Sequence, residues 1–89
     1  MGMTEKLFNN AVEAREFVSS LSVQLGRMPY NPDLRRYCDN LGKMVSDLSS
    51  VEVEARRSRR TEKYEIQATK LENAVAHLQQ LMLMHRIMS

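Results

Sequence analysis

Apolar residues recur along this chain at spacings of three and four in three separate runs, the pattern of helices that each bury one stripe. The first run is Leu7, Ala11, Ala14, Phe17, Val18, Leu21 and Leu25. It predicts a helix over about 4–25, with Thr4 capping its start and Gly26 as the left-handed residue just past its end. The second run is Leu34, Tyr37, Cys38, Leu41, Met44, Val45, Leu48, Val51 and Ala55. It follows Asn31-Pro32-Asp33, where Asn31 can cap, Pro32 suits the first helical position and Asp33 favours the positive end of the dipole. A helix over about 32–57 is expected, weakened only at Gly42. The third run, Tyr64, Ala68, Leu71, Ala74, Val75, Leu78, Leu81 and Met82, predicts a helix over about 61–88.

The junction between the second and third runs decides the architecture. Ala55 and Tyr64 stand nine residues apart. At about 100° per residue, the later stripe would sit roughly 180° from the earlier one on a continuous rod, which would then bury opposite faces at its two ends. A turn near residues 58–61, with Thr61 capping the next helix, removes the conflict and folds the chain back on itself. A competing signal is Ser49-Ser50-Val51-Glu52, a capping-box pattern that would move the break and leave a much longer third helix. The phase argument favours the later turn, and the expected fold is all-α: a single-domain, three-helix antiparallel bundle over 1–89 that self-associates.

Composition narrows this without changing it. A chain of 89 residues holds one thin core, and 43% hydrophobic with 27% charged residues is too apolar for a disordered tail. Three Gly and two Pro supply too little turn chemistry for an all-β fold. Thirteen basic against 11 acidic residues give a net charge of +2, so any basic surface is local. The longest apolar run, Leu81 to Met84, is far short of the roughly 20 residues that span a bilayer. One cysteine and no visible export signal point to a reducing, cytoplasmic setting.

Two features carry candidate function. From Leu78 onward, Leu78, Leu81 and Met82 are joined by Leu83, Met84, Ile87 and Met88, so the third helix turns apolar on several faces. A helix apolar on several sides is normally covered on several sides, and methionine suits a surface that must fit a partner or another copy. Leu78, Leu81, Met82, Leu83, Met84 and Ile87 are therefore the expected interface. The other feature is the basic group Arg56, Arg57, Arg59, Arg60 and Lys63, able to clamp phosphates. Glu52, Glu54, Glu62 and Glu65 interleave with it, so a solvated turn held by local ion pairs is the competing explanation. Arg35 and Arg36 lie at the opposite end of the second helix and cannot extend that patch.

Catalytic, metal and cofactor chemistry finds no residues to rest on. His77 and His85 are eight positions apart, about 12 Å along a helix, too far to share an ion. Cys38 falls on the apolar stripe and reads as a buried small hydrophobe. No phosphate loop, paired carboxylate motif or Ser-His-Asp set can be placed, so neither an enzyme nor a cofactor is expected.

Two short likenesses exist. Residues Ala68 to Val75 resemble the last helix of small helical phage proteins that sequester cyclic oligonucleotides, over eight residues. Pro32 to Tyr37 is similar to part of the needle subunits of type III secretion and their small helical chaperones. The rest of the chain departs from both patterns, and no binding residue is carried over. The expected function is a small helical protein-protein interaction module (adaptor, chaperone or inhibitor) acting through its apolar C-terminal helix as a homo-oligomer or on a protein partner. The alternative is binding of nucleic acid or a nucleotide, including phage-type nucleotide sequestration, through Arg56 to Lys63.

Overall fold

The computed structural model describes residues 6–88, the last two in backbone only. Three helices follow one another: α1, Ala11–Gly26; α2, Pro32–Ser58; and α3, Glu62–Met88. They form a compact three-helix bundle. The central element is α2, which packs along both neighbours, while α1 and α3 touch each other least. Ala11 meets Glu52 and Ser22 meets Arg35 between α1 and α2. Tyr37 meets His77 and Asn31 meets His85 between α2 and α3. Residue numbers thus rise along one helix as they fall along the next.

Each helix contributes one stripe to a single core. Ala11, Ala14, Val18, Leu21 and Leu25 come from α1, Leu34, Cys38, Leu41, Val45 and Leu48 from α2, and Ala68, Leu71, Val75, Leu78 and Met82 from α3. The largest side chains that are sealed almost completely are Leu21, Leu41, Leu48, Leu71 and Leu78. These are the positions the three-and-four spacing selects, because only residues on one side of each helix can reach the shared axis.

The start of α2 follows from its sequence. The Asn31 carboxamide oxygen accepts hydrogen bonds from the backbone N–H of Asp33 at 2.9 Å and Leu34 at 3.2 Å, and Pro32 takes the first turn. The helix then runs unbroken through Ser49 to Glu52. The capping-box alternative fails there because the Glu52 carboxylate is engaged elsewhere, accepting from the backbone N–H of Ala11 at 3.3 Å. The break falls at Arg59, whose backbone is left-handed at φ 59 and ψ 26.

Three sequence expectations need correction. The first helix does not begin at Thr4, which lies outside the described residues; it begins at Ala11. Asn10, extended at φ -155, accepts from the Glu13 N–H at 2.9 Å, and the Glu13 carboxylate reaches back to the Asn9 N–H at 2.9 Å. The Asn10 cap, braced by the Glu13 carboxylate on Asn9, outweighs the apolar spacing from Leu7 to Ala11. Residues 7–10 instead cross the bundle, and Phe8, only 3% exposed, enters the core from outside any helix. Second, Gly26 is not left-handed: it is the last residue of α1, which closes through hydrogen bonds from Arg27 N–H to Gln24 O and Met28 N–H to Leu25 O, both 3.1 Å. Tight bonds over three residues satisfy those carbonyls without a left-handed residue. Third, Thr61 precedes α3, but its hydroxyl donates to the Glu65 carboxylate at 3.4 Å.

Gly42 is helical, and a methyl group added there meets nothing within 4 Å. Gly42→Ala is therefore expected to stabilise the fold by about 0.5 to 1 kcal/mol, by removing backbone freedom from the unfolded chain. The midpoint of urea unfolding measures it, and a lower midpoint would mean that α2 is not a continuous helix at this position.

Candidate interaction surfaces

The C-terminal half of α3 divides by direction. Residues four or seven apart on its inner side, Leu78 and Met82, are 0% and 7% exposed and belong to the core shared with α1 and α2. Leu81 lies towards the same core and is half-buried against it. Leu83 and Met84, one and two steps further round the helix, are 55% and 56% exposed. The six-residue interface expected from sequence is thus corrected: Leu78 and Met82 are already covered within the chain. Leu83 and Met84 form the open apolar part, and the Ile87 and Met88 side chains lie outside the described residues.

Beside Leu83, α1 and α3 part to leave an open cleft. Leu21, Gln24 and Met28 line it from the α1 side, and Gln79, Met82, Leu83 and Arg86 from α3. Its floor is apolar and its rim carries two uncharged carboxamides. Met28 was not among the predicted site residues, although it stands three positions after Leu25 and continues the stripe Val18, Leu21, Leu25. Its place beside Leu83 depends on how α1 lies against α3, which no local spacing encodes.

The seam between α2 and α3 at this end is polar and specific. Since the Asn31 oxygen is occupied by the α2 cap, its NH2 group must be the one facing His85 Nε2 at 2.8 Å, which makes that ring nitrogen the acceptor. The Tyr37 hydroxyl lies 3.0 Å from His77 Nδ1, with the two rings edge to face at 5.6 Å between centroids. Both histidines thus join α2 to α3. Cys38 is 4% exposed, and its thiol is pushed up from its ordinary range, chiefly by burial. A thiol that is sealed and kept protonated is a poor nucleophile.

The basic group occupies the opposite end. Arg56 and Arg57 lie in the last turn of α2, Arg59 and Arg60 in the connection, and Lys63 in the first turn of α3. All five are exposed. A shallow cleft lined by Ser50, Val51, Ala55 and Ser58 also takes in Arg60 and Lys63, with Glu54 and Glu62 on its walls. Lys63 and Leu83 are separated by twenty helical residues, about 30 Å. The two candidate surfaces are therefore independent.

Between them, the N-terminal segment is pinned across the bundle. Leu7 N–H donates to the Glu72 carboxylate at 3.0 Å, and the Tyr64 hydroxyl donates to the Asn9 carbonyl at 3.2 Å. Burial first, then the carboxylates of Glu52 and Glu72, push the Tyr64 hydroxyl up from its ordinary range. It stays a neutral donor in that contact.

No family model, curated protein or solved structure matches the chain. The short likenesses at 68–75 and 32–37 carry no argument about function. Among the described residues, no helix is long and apolar enough to cross a membrane.

Proposed function

We propose that the chain is a small helical interaction module whose copies dock on one another through the C-terminal part of α3, in the manner of an adaptor, chaperone or inhibitor. The observation that carries this reading is the pairing of an exposed knob, Leu83 and Met84, with an apolar-floored cleft alongside it, lined by Leu21, Met28 and Met82. A knob and a hole on one surface are self-complementary: a two-fold axis lets each copy fill the other's cleft. The rim suits the same arrangement. Gln24 and Gln79 offer both donors and acceptors, so two identical rims meet without like charges opposed, apart from Arg86. Covering a large apolar side chain is worth about 1.5 to 3 kcal/mol, and two copies would cover two such pairs. The proposal includes a reducing, cytoplasmic setting, which suits a chain whose single thiol is buried.

The contact is tested by cysteines placed one per chain. Mixing Leu83→Cys with Met28→Cys under mild oxidation is expected to give a disulfide between chains, while Cys38 stays reduced. Val12→Cys, equally exposed but on the distant half of α1, serves as the control. If Leu83→Cys pairs with Val12→Cys as fast as with Met28→Cys, the docking described here is wrong.

A further inference from the structure

The interleaved glutamates are the reason to read the basic group as a solvated turn, yet most of them are not bonded to it. Among the described residues, Arg56 alone of the five cations has an ion pair, with Glu52 at 3.8 Å. The Glu52 carboxylate is shared with the Ala11 N–H, and Glu65 takes the Thr61 hydroxyl. Among the described residues, Arg57, Arg59, Arg60 and Lys63 make no side-chain hydrogen bond or ion pair, with Glu54 and Glu62 nearby but not bridged to them. Four uncommitted cations span the tip of the α2–α3 hairpin, from the last turn of one helix to the first turn of the next.

We propose that this tip binds the sugar-phosphate backbone of double-stranded nucleic acid, independently of base sequence. Three of the four cations are arginines, whose planar fork matches phosphate oxygens in pairs. Their spread across both helices and the turn suits a row of regularly spaced anions better than a single carboxylate. Base stacking has no platform here: the aromatic nearest in sequence, Tyr64, is half-buried with its hydroxyl given to Asn9. That disfavours a single strand. The tip lacks the Asn and Gln side chains that read adenine edges; its arginines can pair with phosphate or with guanine, and contacts to phosphate position the protein without specifying sequence.

Arg59 adds an independent observation. Among the described residues it is the non-glycine residue with positive φ, at 59°, in a position where glycine is conformationally preferred. The turn itself does not require the Arg59 side chain.

The experiment is fluorescence anisotropy of the intact chain with a short labelled duplex of arbitrary sequence, repeated across salt. Engaging four phosphates gives a slope of about −3.6 in log affinity against log salt, a loss of roughly 100-fold between 50 and 200 mM. Arg57→Gln with Arg60→Gln is expected to reduce the slope by about 2 while circular dichroism stays unchanged. Arg59→Gly separates site from scaffold: it should raise the melting temperature and still weaken duplex binding. The proposal is overturned by no binding at low salt, by binding that these substitutions leave intact, or by tighter binding of a single strand or a polyglutamate peptide than of the duplex.

Discussion

Leu78→Ala is expected to cost about 3 to 5 kcal/mol, whereas Leu83→Ala, five residues further along the same helix, should leave the stability of the isolated chain within about 0.5 kcal/mol. The two leucines look alike in sequence. Leu78 is sealed at 0% exposure among core residues of three helices, so truncation opens a cavity that neighbouring leucines cannot fill. Leu83 is 55% exposed, so its truncation removes few contacts within the chain and opens no sealed cavity. The total stability of a domain this size is about 4 to 13 kcal/mol, so Leu78→Ala alone removes a large share of it. Protein concentration separates the two effects further. The Leu78→Ala loss should not change with concentration, while the apparent cost of Leu83→Ala should grow as association begins to stabilise the parent chain. Urea unfolding followed by circular dichroism at two concentrations reads both. Equal losses for the two substitutions would mean that Leu83 is core after all.

Phe8→Ala carries the second large effect, about 3 kcal/mol, although Phe8 belongs to no helix. Its ring is 3% exposed within the core, and the segment around it is tied to all three helices. Leu7 donates to Glu72 on α3, Asn9 to Glu13 on α1, and Ala11 to Glu52 on α2. Removing the ring takes away the anchor that holds these donors near their carboxylates. The amides of Leu7 and Asn9 are therefore expected to lose protection from hydrogen exchange ahead of the rest of the bundle. Unchanged stability, with those amides still protected, would show that the segment is held by its hydrogen bonds alone.

The Phe8 result bears on what the sequence could disclose. The stripes of α2 and α3, and the turn between them, follow from spacing because a helix can bury only one side; the phase conflict between Ala55 and Tyr64 sufficed to place that turn. Asn31-Pro32-Asp33 marked the start of α2 to the residue, since each of the three has a distinct reason to stand there. The start of α1 is not legible because Leu7 keeps step with Ala11 at helical spacing, and a four-residue match does not reveal that Asn10 caps a helix beginning at Ala11. Gly26 departs from expectation for a related reason: a glycine permits the left-handed conformation but does not require it, and Arg59 adopts it instead. The candidate site was legible only in part. Leu83 and Met84 lie within the predicted interface, but that interface also takes in Leu78 and Met82, which the three-and-four spacing already assigns to the inward stripe of α3. Met28 and the cleft arise from the meeting of α1 and α3. The freedom of Arg57, Arg59, Arg60 and Lys63 was likewise invisible, because interleaved charges in a sequence do not disclose which of them bond.

Sedimentation equilibrium of the parent chain beside the double variant Leu83→Glu, Met84→Glu tests the central claim of docking through α3 most directly. Both positions point away from the core, so the variant should keep its helical circular dichroism. The account predicts that the parent sediments as a dimer in the micromolar range and that the variant sediments as a folded monomer. A parent that remains a monomer at high concentration, or a dimer that survives both glutamates, would contradict it.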